Sequence, residues 1–250
     1  MSEAPEVELE AELVDPLVDV YAGSITHPAR AHDSVVAHRA ALMVIDVQYL
    51  DAAREHGVFK NAEASGVSPE AQDYYFTRLD ELVVPNIQRL QRAFRACGLE
   101  VIHTRIMSLT QDGRDRSAGH KRLGLHAPPG SKESEFLEAV APEGDEIVIN
   151  KTASGVFTST NTEFILRNLG VTSLFVAGVY TNECVSTTVR DASDLGFVTT
   201  LIEDACATVT PVLQQNAINV LRDRYARVQA TDEVIRELEL LLPTAQLKLG

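Results

Sequence analysis

The sequence predicts an α/β protein: a single-domain, doubly wound αβα sandwich on a mostly parallel sheet of about six strands. Two observations carry this. Six short apolar runs recur along the chain, and amphipathic stretches of helical length separate most of them, several closed by glycine. The runs lack polar alternation, as strands covered on both faces do.

The first run, AALMVID (40–46), ends in an acid. LEVIHT (99–104), EIVIN (146–150), SLFVAG (173–178), FVTTLI (197–202) and ARVQA (226–230) follow. Between them, residues 78–98 have apolar side chains at three- and four-residue spacing and a glycine stop, and Pro85 places the start of the regular helix near itself. Residues 159–170 and 181–196 each have a capping Ser or Thr and a terminal glycine, and 210–225 has proline early in the helix. Segments 49–77 and 106–145 read as irregular or partly helical, suited to lids or subunit contacts. The folded domain is expected over 40–241, after an acidic arm and lead-in at 1–39 and before a tail at 242–250.

Composition narrows the function. The net charge of -14 argues against a nucleic-acid or anionic-membrane partner, since both require a positive footprint. Part of that acidity is local: EAPEVELEAELVD (3–15) carries six carboxylates and no base. No apolar run reaches the roughly 18 residues of a membrane span. The acidic N-terminus lacks the apolar stretch of a secretory signal. The 3 cysteines, Cys97, Cys184 and Cys206, form no Cys-x-x-Cys pair, and an odd count this small suits a reducing cytoplasm.

In a doubly wound sheet, ligands sit beyond the C-terminal strand ends. Asp46, Thr104–Arg105, Asn150–Lys151 and the 178–184 turn all fall there. Asp46 reads as a general base or a loop-capping acceptor. Lys151 reads as an anion stabiliser, a carboxylate partner or a solvent-reaching cation. Cys184 stands in the first turn of a helix, where backbone N–H groups and the helix dipole lower a thiol's pKa; the alternative is a small packing residue. Cys97, at a helix end before glycine, and Cys206, in EDACAT, read as packing residues, Cys206 less firmly because it is nearer the active edge. A base, a cation and a thiol at neighbouring strand ends form a set for covalent catalysis.

Three ordered motifs, LMVIDVQ, INKTASGVF and VAGVYTNECVSTTVRDASDLGF, resemble those of the isochorismatase-like cysteine hydrolases, over roughly 40–230. The resemblance implies a triad of Asp46, Lys151 and Cys184. It also implies a cis peptide at Val179–Tyr180, with the Tyr180 and Cys184 N–H groups forming an oxyanion hole. The metal-binding branch of the family carries Asp-x-His after the second strand; HTRIMSLTQDGRDRS has none, so neither a metal nor any other cofactor is expected. His120 and His126 read as loop or interface residues.

The segment HTRIMSLTQDGRDRSAGHKRLG resembles the ureide-directed branch, which acts on ureidoacrylate, biuret or triuret. The implied reaction is thioester-mediated cleavage of a small amide or carbamoyl C–N bond. Tyr49, Arg105, Gln111, Tyr180, Asn182 and Gln215 are the candidate substrate-binding residues, of which at most two are expected to touch substrate. The resemblance further implies a homo-oligomer, dimer or tetramer. Two other readings stay open at this point: a vinyl-ether hydrolase acting on isochorismate-like acids, and a catalytically silent scaffold retaining the fold.

Overall fold

The computed structural model describes residues 39–61 and 65–239, with 17, 20, 21, 33 and 35–37 of the preceding stretch. The acidic run 3–15 and the tail 242–250 lie outside the described residues.

Six parallel strands form one sheet in the order β3-β2-β1-β4-β5-β6. They are β1 (Ala40–Ile45), β2 (Glu100–Ile106), β3 (Ile147–Lys151), β4 (Ser173–Val179), β5 (Val198–Ala207) and β6 (Arg227–Gln229). All six apolar runs of the sequence are strands. The chain winds outwards from β1 to one edge through β2 and β3, then returns to the other side of β1 as β4. The topological switch point therefore falls between β1 and β4, where such sheets hold their ligands.

Alternate side chains of β1 enter two separate cores, which is why the run has no polar position. Ala40, Leu42 and Val44 face one core; Ala41, Met43 and Ile45 face the other. The first core is closed by α2 (Pro69–Arg78), α3 (Val84–Ala96) and α9 (Thr231–Glu239), through Tyr75, Phe76, Ile87, Leu90, Phe94, Val234 and Leu238. The second is closed by α5 (Val156–Ser159), α6 (Thr162–Asn168), α7 (Ser186–Asp194) and α8 (Pro211–Leu221). Two short helices, α1 (Tyr49–Ala52) and α4 (Ala118–Arg122), lie in the segments that read as irregular. Among the described residues, no helix is long and apolar enough to cross a membrane.

The helical stretch around Pro85 starts earlier than the sequence suggests. It begins at Pro69, where the Ser68 hydroxyl accepts from the Ala71 N–H, and α2 passes into α3 through a π-helical turn, Leu79–Val83. Pro85 sits in the first turn of α3. The wider turn bonds the Val84 N–H to the Leu79 carbonyl and lets the helix continue across a residue that has no N–H to donate. Arg78 fixes the junction by donating to the carbonyls of Glu203 and Cys206 at 2.8 and 2.9 Å.

The strand pair at the switch point depends on a glycine. Gly178 has φ +120°, and a Cβ placed there would lie 2.1 Å from the Ile45 carbonyl oxygen of β1. The neighbouring atom is backbone, so rotamer change gives no relief. Gly178→Ala is expected to cost about 3 kcal/mol, combining positive-φ strain with separation of β1 from β4. Chemical denaturation should show this as a lowered midpoint; an unchanged midpoint would contradict the close approach.

Candidate active site

Asp46, Lys151 and Cys184 come from three different strand ends and meet beyond the C-terminal edge of the sheet. β1 stops at Asp46, whose φ of +54° places it in the left-handed region that Asp tolerates better than most residues. Its N–H bonds the Thr104 carbonyl at 3.0 Å, and its Oδ1 accepts from the Thr104 hydroxyl at 2.9 Å. Two residues on, Gln48 is fully buried and clamps β1 to the end of β2: its Nε2 donates to the carbonyls of Ile106 and Glu133, and its Oε1 accepts from the Ile106 N–H.

Lys151 ends β3, two strands away from β1, and is fully buried. Its ammonium lies 2.7 Å from Asp46 Oδ2, and it donates to Cys184 Sγ at 3.2 Å and to the Ala153 carbonyl at 3.0 Å. The ammonium thus makes two hydrogen bonds and one buried ion pair. Burial works against its charge, but Asp46 and then Cys184 outweigh that, so its pKa is raised and the side chain stays a cation.

Cys184 lies in a second π-helical turn, Thr181–Val185, that leads into α7. The Val179–Tyr180 peptide before it is cis. Cys184 is 5% exposed. Burial pushes its pKa upwards; Lys151 opposes the shift, while Asp46 and Asp51 reinforce it. This reverses the direction expected from the helix N-terminus alone. Lys151 is already matched by Asp46, so a resting thiolate would add a net negative charge to a buried site. Cys206 and Cys97 are buried packing residues: the Cys206 thiol is pushed up to about 12, chiefly by burial, and Cys97 lies 3.6 Å from the Leu238 carbonyl.

Cys184 lines a cavity of about 170 Å³ together with Asp51, Ile106, His120, Tyr180, Asn182 and Thr208. Of the six candidate substrate-binding residues, Tyr180 and Asn182 line it and the other four do not. Arg105 is held away by Asn150 Oδ1 and the Ser134 carbonyl, with its guanidinium over the Phe136 ring. Gln111 bonds the Pro129 carbonyl in an exposed setting, and Gln215 bonds Asn219 on the outer face of α8. Tyr49 packs against His56 and under the Lys132 ammonium. Asn182 accepts from the Thr208 hydroxyl, which ties the nucleophile turn to the end of β5.

Two lining residues had no clear signal in the sequence. Asp51 is 2% exposed in α1, and its Oδ2 is buried without a hydrogen-bond partner. His120 reads from sequence as a loop or interface residue, yet it is 3% exposed in α4 with Nδ1 unpartnered. Burial, and then the nearby Lys151 charge, push its pKa down to about 4, so the ring is neutral. His126 also has a buried, unpartnered nitrogen, Nε2, but does not line the cavity. Among the described residues, no group of three or more His, Cys, Asp or Glu side chains is arranged to hold a metal.

The raised thiol pKa sets a pH dependence. Below it Cys184 is neutral, so its thiolate fraction, and with it the rate of alkylation by iodoacetamide, should climb about tenfold per pH unit from roughly pH 7 to 10. Peptide mapping after timed alkylation reads this for Cys184 separately from the other cysteines. A rate already level near neutrality would show a preformed thiolate.

Comparison with known proteins agrees with this geometry. Residues 40–233 match the family described as isochorismatase domain. N-carbamoylsarcosine amidase from Arthrobacter sp is 29% identical over 169 residues, 64% of this chain and 63% of that protein. A ureidoacrylate amidohydrolase from Acinetobacter baylyi is 29% identical over 151 residues, 54% of this chain and 62% of that protein. The chain thus spans a little under two thirds of the length of these two relatives. Among solved structures, a cysteine hydrolase from Pseudomonas syringae pv. phaseolicola superposes with a TM-score of 0.66 at 25% identity, covering 82% of this chain and 94% of that one. With a family match that takes in the whole sheet and every residue of the Asp46–Lys151–Cys184 cluster, the chain belongs to the isochorismatase family.

Proposed function

We propose that this protein is a cysteine amidohydrolase that cleaves a C–N bond in a small amide or carbamoyl compound of the ureide type, in the cytoplasm and without a metal. The observation that carries this reading is the Lys151 ammonium bridging Asp46 at 2.7 Å and Cys184 at 3.2 Å beside a cavity sized for a small molecule. The amide-cleaving names of two relatives support the bond class.

Each step can be assigned to groups of this chain. Cys184 Sγ attacks the carbonyl carbon as its proton passes to Asp46, so charge moves onto the substrate oxygen only as the S–C bond forms. Backbone N–H groups of Tyr180 and Cys184 receive that oxygen. Asp46 returns the proton to the leaving nitrogen, the C–N bond breaks, and ammonia or an amine departs from a thioester. Water then loses a proton to Asp46, adds to the acyl carbon and releases the thiol. Lys151 holds Asp46 in place and keeps negative charge favourable throughout. A homo-oligomer, dimer or tetramer, belongs to the same proposal; a monomer mass in native mass spectrometry would remove that part.

Cys184→Ala should lower ammonia release from an active ureide roughly a thousandfold or more, and Asp46→Asn about 100-fold or more, with the cooperative melt of the Cys184 variant retained. A panel of biuret, triuret, ureidoacrylate and nicotinamide identifies the active substrate. Full activity in Cys184→Ala would overturn the thioester route. Isochorismate turnover that survives Cys184→Ala would assign vinyl-ether chemistry instead.

A further inference from the structure

We infer that Asp51 selects the substrate, and that this substrate is uncharged at the end away from the scissile bond, where it meets Asp51 with a carboxamide-like edge of one donor and one acceptor. The inference rests on the amidohydrolase reading and narrows its substrate class.

The backbone of Asp51 is firmly held. Its own carbonyl accepts from two tyrosine hydroxyls, Tyr75 at 2.8 Å and Tyr180 at 3.0 Å. Those rings stack into the first core with Phe59, so the position of Asp51 is tied to the packing beneath the cavity. The carboxyl differs from the backbone in this respect. Its Oδ2 is buried and unpartnered, and the residue lines the same cavity as Cys184. A buried polar atom without a partner is costly, and a ligand group at that position would remove the cost.

The charge state of Asp51 fixes what it can accept. An isolated carboxylate in so buried a place is strongly disfavoured. The near cation, Lys151, is already engaged by Asp46 at 2.7 Å and by two other acceptors. Burial, and then repulsion from Asp46, accordingly raise the Asp51 pKa well above the usual carboxylate range, with Lys151 only partly opposing. A protonated carboxyl presents one O–H donor and one carbonyl acceptor side by side. A carboxamide or second carbamoyl group presents the complementary pair, and the two can close through two parallel hydrogen bonds.

The rest of the lining fits an uncharged group. His120 is neutral and offers an unpartnered ring nitrogen as a further donor or acceptor. Glu183, exposed, is the other acid on the lining, and among the described residues no arginine or lysine lines the cavity. A substrate carboxylate would be desolvated there beside Glu183 without a lysine or arginine on the lining to offset its charge. An ammonium would first require Asp51 to lose its proton.

Binding can be read without turnover. Isothermal titration of the Cys184→Ala protein near neutral pH would compare three small probes that share a urea group and differ at the far end: biuret, N-carbamoylglycine and n-propylurea. Biuret is expected to bind at least about 30-fold more tightly than N-carbamoylglycine, and more tightly than n-propylurea. In the same background, Asp51→Leu should weaken biuret at least about tenfold and leave n-propylurea unchanged, whereas Asp51→Asn, which keeps a donor and an acceptor, should hold biuret within about threefold. A purely structural role would not separate the probes in this way. Equal or tighter binding of N-carbamoylglycine, absent biuret binding, or biuret affinity unchanged in Asp51→Leu would each overturn the inference. If Asp51→Leu does not melt cooperatively, the probe ranking and the Asn variant decide. Ammonia release by the unmodified enzyme from any amide would leave the proposed chemistry standing even when the ranking fails; its absence from every amide would remove that chemistry without bearing on the ranking.

Discussion

The buried ion pair between Lys151 and Asp46 is the interaction on which the rest of the arrangement depends. Two charges removed from water cost several kcal/mol each unless their mutual attraction and further hydrogen bonds offset the loss. Here the offset on the lysine comes from the 2.7 Å ion pair with Asp46 Oδ2 and from two hydrogen bonds, to the Ala153 carbonyl and Cys184 Sγ. Thr104 serves the other oxygen of Asp46. The register sets the pair: Ile45 at the end of β1 aligns through Thr104 with Ile149, and β3 runs two residues further to Lys151, level with Ile106 at the end of β2, from where its side chain reaches across β2 to the Asp46 carboxylate. Sheet order, register and site are thus one constraint.

The third member arrives by a different route. Cys184 is delivered by a turn after β4, and the turn can stand over the pair only if β4 lies close against β1. Gly178 permits that contact, and the π-helical turn that follows sets the thiol within reach of Lys151. Asn182 and Thr181 then tie the turn to β5 and α8, through Thr208 and Gln214. Cys184 is therefore held from both sides, by the core beneath it and by the neighbouring strand end, as a preorganised site requires.

How much of this could be read beforehand follows from what each feature depends on. A strand covered on both faces is apolar nearly throughout, so the central strands β1 and β4, buried at every position, stand out most clearly in the sequence, while the edge strands β3 and β6 are shorter runs with partly exposed positions. Asp46 and Lys151 are conspicuous because a charge directly after such a run has few places to go. The first helix on that face is different. Pro85 looks like a helix start from local propensity, and only tertiary packing of Tyr75, Phe76 and Leu79 explains why a π-helical turn carries the helix through it. Arg105, Gln111, Gln215 and Tyr49 have plausible chemistry, but each is satisfied by a neighbour that the sequence does not reveal. Asp51 and His120 are the converse case. Their significance lies in lacking a partner while buried, a property of the packed structure and not of any local pattern.

The same electrostatics bears on how the site handles protons. A thiolate formed at rest would have to coexist with Asp46 beside a single ammonium, in a place where water gives little screening. The raised thiol pKa states the result: the proton remains on sulfur until there is an acceptor for the charge. In the proposed reaction, attack on a carbonyl would supply that acceptor, because the negative charge would appear on an oxygen outside the Lys151–Asp46 pair while the proton entered the pair at Asp46. Lys151 would then face a neutral carboxyl and a thioether-like sulfur, leaving its charge free to stabilise the oxyanion of the proposed reaction electrostatically. A neutral resting thiol is thus compatible with the proposed attack: the cost of ionisation would be deferred to the step in which charge moves onto the substrate oxygen. A protonated Asp51 fits the same logic, since a second ionised acid in the cavity would raise the cost of every negative charge formed during the reaction.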